Sequence, residues 1–112
     1  MLSKANRIRS RRLIEKLLKT GAFFRGNLVT VRFLPSVKPE SGFAILVSKK
    51  VVANATCRNT VKRRISESLR LKTEKMEKFV SALVIAKAPA AKADYAQIDA
   101  DIETFIRSIN KA

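Results

Sequence analysis

Histidine and tryptophan are absent from this 112-residue sequence, cysteine occurs once, and glycine and proline occur three times each. Each shortage closes a route. Without histidine no side chain has an ordinary pKa suited to general-base work near neutrality, which excludes a histidine-type nuclease and removes the usual zinc ligand sets. A lone Cys57 excludes an internal disulfide. It falls on an apolar helix stripe, described below, where it acts as a small hydrophobe rather than a nucleophile. The three glycines form no phosphate-cradling fingerprint, so an independent nucleotide-dependent enzyme is not expected. No apolar run approaches the roughly 20 residues of a membrane span, and no hydrophobic stretch follows the basic start as in a secretory signal. A cytoplasmic chain without a membrane anchor is expected.

Acidic residues are the most telling shortage: 9 Asp and Glu face 24 Lys and Arg, a net charge of +15 and a sequence pI near 10.9. Such a surface repels itself, and a polyanion relieves the repulsion while releasing condensed counterions, so nucleic acid is the natural partner. An anionic membrane surface is the competing sink, but the charge is not confined to a helix with a bulky aromatic face. With 46% apolar residues against 29% charged, the chain has globular rather than disordered composition, and its length fits one RNA-binding domain over residues 1–112.

Local patterns order the chain. Lys4, Arg7, Arg9, Arg11 and Arg12 open it without an acid among them, a basic N-terminal arm centred on residues 1–9. Leu13, Ile14, Leu17 and Leu18 recur at helical spacing before Gly21, predicting a helix from about Ser10 to Thr20. Asn27 to Leu34 alternates, with Val29, Val31 and Phe33 on one side and Thr30 and Arg32 on the other, as a half-polar strand does. Pro35, Pro39 and Gly42 mark a loop, and Phe43 to Val47 reads as a second strand and the antiparallel neighbour of the first. Asn54 is placed to cap a helix running to about Leu71. Phe79 to Ala86 predicts a third strand. Asp94 and Gln97 form a capping-box pair ahead of Ile98, Ile102, Phe105, Ile106 and Ile109, a closing amphipathic helix. The order α-β-β-α-β-α implies an α+β, two-layer helix/sheet sandwich.

The middle helix carries the functional signal. Cys57, Val61, Ile65 and Leu69 stand four apart and form one apolar stripe at about 100° per residue. Arg58, Lys62 and Arg70, with Asn59, Arg63 and Ser66, fill a separate sector of roughly 140°, opposed within the helix only by Glu67. Clustered cations repel, so the face calls for solvent or an anion. Asparagine and serine among arginines suit phosphate and sugar contacts. The carboxylates Asp94, Asp99, Asp101 and Glu103 gather around the closing helix, where capping, dipole and solvation roles account for them without a metal.

The run Gly42-Phe-Ala-Ile-Leu-Val-Ser-Lys-Lys50, followed by Cys57-Arg-Asn-Thr-Val-Lys-Arg-Arg-Ile65, resembles the bacterial ribonuclease P protein family and its arginine-asparagine-arginine signature helix. The similarity extends to the opening Leu2-Ser-Lys-Ala-Asn-Arg-Ile8, to Ser81-Ala-Leu-Val-Ile-Ala-Lys87 and to the last helix, nearly the whole chain. The resemblance implies a small mixed sheet with a left-handed strand-helix-strand crossover, like a ribosomal-protein domain. It also implies a protein subunit with no catalytic residue of its own. The catalytic RNA uses Mg²⁺ to cut, and the chain contacts that RNA and the 5′ leader of precursor tRNA. No cofactor or metal is expected on the chain, and the free protein is expected to be monomeric.

By position, the resemblance assigns Arg58, Asn59, Lys62 and Arg63 to the catalytic RNA, and the helical wheel adds Arg70. Thr60 stands where the family has its second signature arginine, leaving a hydroxyl to donate one hydrogen bond. The leader-binding cleft is expected between the first helix and the sheet, with Ile14 and Leu18 where relatives often carry phenylalanine. Phe24, with Phe23 beside it, is a replacement aromatic, and Thr30, Arg32, Lys49 and Lys50 are backbone contacts. A structural RNA-binding role, as in a ribosomal or RNA-chaperone protein, is the alternative. A DNA-binding module would need a helix-turn-helix spacing that the chain lacks.

Overall fold

The computed structural model describes residues 6–36 and 40–111. Lys4 of the basic arm and Pro39 of the loop therefore lie outside the described residues.

Helix α1 spans Arg11–Thr20. Ser10 caps it by accepting from the Leu13 N–H at 3.3 Å, and Gly21 closes it with its N–H on the Leu17 carbonyl at 3.0 Å. Gly21 is needed for space: a Cβ there would stand 2.5 Å from the Leu17 oxygen. Strands β1 (Ala22–Arg25), β2 (Val29–Pro35) and β3 (Gly42–Leu46) follow, then helix α2 (Ala55–Thr73), strand β4 (Val80–Ala86), a short 3₁₀ turn over Ala88–Lys92 and helix α3 (Tyr95–Lys111). Asn54 caps α2 through the Cys57 N–H at 3.0 Å. Asp94 and Gln97 exchange backbone-to-side-chain bonds at 2.9 and 3.0 Å, the reciprocal box that the sequence foretells.

The mixed sheet has the order β1-β2-β4-β3. Two expectations are corrected by it. Residues 27–34 and 43–47 do not form a hairpin: β2 pairs antiparallel with β1 and β4, while β3 pairs parallel with β4 at the far edge. The physical reason is burial. β4 is apolar at almost every position and takes the fully covered place between β2 and β3, and parallel neighbours require the α2 crossover between them. The second correction is β1 itself, a four-residue strand whose adjacent Phe23 and Phe24 give no polar-apolar alternation.

α2 and α3 cover one face of this sheet. Val29, Val31, Phe43, Ala82 and Val84 meet Val61, Ile65 and Leu69 of α2 and Ile98, Ile102 and Phe105 of α3 in one buried cluster. Alternation turns Leu83 to the other face, where it and Leu17 of α1 are buried outside that cluster. α1 thus lies across the opposite face, against β4 and β2.

Candidate nucleic-acid interface

The outer edge of β3 is occupied by the N-terminal arm. Ile8 donates its N–H to the Phe43 carbonyl at 2.9 Å, Arg7 bridges Phe43 in parallel, and the Asn6 amide donates to the Ser41 carbonyl at 2.6 Å. This pins the arm beside α2. Between them runs a groove of about 630 Å³ floored by Ile8, Ile14, Phe43, Ala44 and Ile45. Its rim carries Arg7 and Arg9 from the arm and Asn59, Lys62 and Arg63 from α2, with Ser66 buried at its side. Among the described residues none of these four cations is paired with a carboxylate. An apolar floor under an unneutralised cationic rim is chemically suited to a phosphate chain along the edge and a base or sugar on the floor.

The remaining signature positions divide. Arg58, in the first turn of α2, is half-buried, and its Nη1 donates to the Val52 and Ala53 carbonyls at 3.0 and 2.8 Å. It ties the entry loop to α2. Arg70, placed on the RNA face by the wheel, instead pairs with Glu67 one turn back, and that bond lowers the Glu67 pKa from its ordinary value. The Thr60 hydroxyl is also corrected: it donates to the Thr56 carbonyl at 3.1 Å, so the donor expected for RNA is spent inside the helix. Arg64, not singled out by the sequence, donates to the Ala93 carbonyl at 2.7 Å and fastens the turn ahead of α3.

The residues expected in one cleft under α1 do not converge. Ile14 lies in the groove at the β3 edge, Leu18 is 42% exposed, and Lys49 and Lys50 are exposed in the turn after β3. Phe24, offered as the cleft aromatic, faces the core. It pairs with Val31 in register, and its ring centroid is 5.4 Å from that of Phe105. Strand alternation therefore turns Phe23 outward. It is 47% exposed and lies opposite Arg32, whose guanidinium sits 4.7 Å from its ring centroid, with that of Arg25 at 5.1 Å. Arg32 also donates to the Gly21 carbonyl at 3.4 Å, at the end of α1. Thr30 opposes Arg25 on the same face. Arg11 and Arg12 are exposed in the first turn of α1, a helix end that favours anions over cations.

The carboxylates near α3 are engaged by the protein itself. Asp101 accepts the N–H groups of Asn27, Leu28 and Val29, each at 3.0 Å, and so holds the turn between β1 and β2. Asp99 and Glu103 take Lys72 at 3.1 and 3.0 Å. Among the described residues no cluster of three or more His, Cys, Asp or Glu is arranged to hold a metal ion, and no helix is long and apolar enough to cross a membrane.

The family model described as Ribonuclease P matches residues 2–110. The ribonuclease P protein component of Thermus aquaticus is 38% identical over 91 residues, 80% of this chain and 52% of the relative. The chain thus spans about half the length of the Thermus relatives it matches. A Pseudanabaena ribonuclease P protein component is 27% identical over 107 residues, 95% of this chain and 92% of its own. Among solved structures, an RNase P protein from Staphylococcus aureus superposes with a TM-score of 0.81 at 28% identity, covering 96% of this chain and 97% of that one. That from Thermotoga maritima, at 23% identity, shares the fold with a TM-score of 0.82 over 92% and 96%.

Proposed function

The chain belongs to the ribonuclease P protein family, and from that membership we propose that it serves as the protein subunit of ribonuclease P, assisting removal of the 5′ leader from precursor tRNA. The observation that carries the reading is the groove at the β3 edge, where the signature helix and the basic arm converge. Lys62 and Arg63 face Arg7 and Arg9 across an apolar floor. These residues bind the ribonuclease P RNA. The leader of precursor tRNA is the second partner, held on the other edge of the sheet. The subunit works as a cytoplasmic monomer and needs no membrane.

Cleavage is assigned to the RNA, whose bound Mg²⁺ supplies the activated water. Support comes from the donor set: Asp101, Asp99 and Glu103 are spent on backbone amides and Lys72, and no histidine is present to move a proton near neutral pH. The chain's own residues neutralise phosphates and fix the orientation of the two RNA segments. A ribosomal or chaperone role would use the same charge but gains nothing from the family match.

Reconstitution tests the reading. Adding the purified chain to a bacterial ribonuclease P RNA at low Mg²⁺ is expected to raise cleavage of precursor tRNA and its leader-dependent affinity. Lys62→Ala with Arg63→Ala should weaken assembly and lower the salt slope of binding by about two units, whereas Arg70→Ala, already paired within the helix, should change it little. No stimulation by the unaltered chain would sink the subunit role.

A further inference from the structure

We propose that Asn6 is a positioning residue: by bonding to the Ser41 carbonyl it straps the N-terminal arm along β3 and so sets Arg7 and Arg9 opposite Lys62 and Arg63, closing one wall of the groove. The assignment deepens the catalytic-RNA part of the function proposed above and rests on it only for the identity of the RNA.

The arm needs a fastener. β3 ends the sheet, and among the described residues its outer edge carries one isolated bridge, Arg7 with Phe43, where the Ile8 N–H reaches the Phe43 carbonyl at 2.9 Å. One rung at an exposed edge forms in exchange for bonds to water, so it holds weakly and lets the chain pivot about it. The Asn6 amide supplies a second point two residues before Ile8, on the Ser41 carbonyl at 2.6 Å, which itself lies two residues before Phe43. Two points fix a direction where one does not. The acceptor is rigid: Ser41 is 1% exposed, and its hydroxyl accepts the Val80 N–H at 3.0 Å, tying it to the first residue of β4. Gly42, between the two acceptors, completes the seat, since a Cβ there would stand 3.1 Å from Ile8 Cγ1, tighter than ordinary contact.

What the strap gives the groove is the placement of its charge. Ile8 is held half-buried on the groove floor, and the residues on either side of it, Arg7 and Arg9, are exposed on the rim. Four cations gathered around one groove repel, and among the described residues none of them has a carboxylate partner to offset this. Repulsion therefore works to swing the arm, and its two arginines, away from α2. An anchor at Asn6 opposes that swing without neutralising either arginine. Asparagine suits the task because its amide donates to a carbonyl and brings no charge of its own, whereas an ionised carboxylate has no proton to donate and would cancel charge that RNA draws on.

The salt dependence of binding to a bacterial ribonuclease P RNA tests the strap, because losing an uncharged residue that merely touched RNA would leave the slope as it was. Arg7→Ala combined with Arg9→Ala is expected to lower the slope by about two units. Asn6→Ala, which removes no charge, should lower it by about one unit or more and weaken binding about tenfold near physiological salt. Adding Asn6→Ala to the arginine pair should lower the slope no further. In the free protein, amide hydrogen exchange should show the Ile8 N–H losing protection in Asn6→Ala while Val31 and Val84, inside the sheet, keep theirs. An unchanged slope in Asn6→Ala overturns the strap even if affinity falls, since a direct contact of the amide with RNA then accounts for the loss. Unchanged protection at Ile8 overturns it as well, and so does an equal loss at Ile8, Val31 and Val84, because Asn6 would then stabilise the fold as a whole. Parallel reconstitution separates the two ideas. A lowered slope without stimulated cleavage keeps the strap and removes the subunit role, and stimulated cleavage with an unchanged slope does the reverse.

Discussion

Asp101 shows how much one side chain decides in this molecule. It is among the few acids of a very basic chain, it is 8% exposed, and its carboxylate takes three consecutive backbone amides of the turn that joins β1 to β2. Removing it strands a buried Val29 donor and loosens the ribbon that carries Phe23 and Arg32. Asp101→Ala is expected to lower stability by about 3 kcal/mol in urea unfolding, since an orphaned buried amide alone costs ~1–3 kcal/mol and the bonds are charge-assisted. Asp101→Asn, which keeps one acceptor oxygen, should lose less. At the same scale, Arg63 and Arg70 look equivalent on a helical wheel, yet only Arg70 reaches a carboxylate. Glu67 lies three residues before it, and a single turn of helix brings them together.

Between elements, α2 and α3 are clasped by Lys72. It continues the apolar stripe of α2, seven residues beyond Ile65, and is largely buried where its ammonium meets Asp99 and Glu103 of α3. Ser68 donates to the same Asp99 oxygen at 2.7 Å. Burial alone would raise the Asp99 pKa, but hydrogen bonds from Ser68 and Lys72 outweigh it and the value falls below the ordinary 3.8. The Lys72 hydrogen bond likewise holds Glu103 below 4.5. For Lys72 itself burial works downward, and its two acidic partners carry the pKa above 10.5. Depressed carboxylates stabilise the fold above their unfolded values and lose that contribution as pH falls through the native ones. A raised lysine does so below 10.5 and loses it as pH climbs through its higher native value. Urea unfolding at pH near 7 should therefore show Lys72→Met less stable than the unaltered chain. The gap should begin to narrow as the pH falls into the ordinary carboxylate range and close once it has passed below the depressed native values of Asp99 and Glu103, where both partners are protonated in the unaltered chain as well. A gap independent of pH would mean that Lys72 contributes by packing alone.

For the whole molecule, the strand order β1-β2-β4-β3 sets two cationic surfaces on opposite edges of one sheet. The groove of Arg7, Arg9, Lys62 and Arg63 lies beyond β3, and the exposed Phe23 between Arg25 and Arg32 lies on β1, three strand spacings or roughly 15 Å away. The two edges should behave independently: combining Phe23→Ala with the Lys62 and Arg63 pair of changes is expected to give additive losses of RNA affinity. Distant sites with no shared partner add in this way. Synergy beyond a few tenths of a kcal/mol would indicate one continuous binding track instead.

Much of this organisation is legible in the residues. Ser10, Asn54, Asp94 and Gln97 cap the helices they precede because capping chemistry is local, and the stripe Val61, Ile65, Leu69 is buried because helical period is local. The basic arm and signature helix are likewise visible as charge. What is not legible has a common cause. β1 has only four residues and its adjacent Phe23 and Phe24 break the two-residue alternation by which a strand is recognised, so the choice between them waited on the register with β2. Its position after Gly21 was the one available hint.

Sequence alone determined the elements, the excess of positive charge, the absence of histidine chemistry and the family, all of which depend on neighbours along the chain. Tertiary structure decided which strand sits beside which, which cations remain unpaired, and where an aromatic meets solvent. Those outcomes depend on competition between residues far apart in sequence. β4 takes an inner place because it is long and apolar at every position but Ser81 and can be covered on both faces, and Asp101 reaches a turn more than seventy residues away. Local propensity contains no term for either.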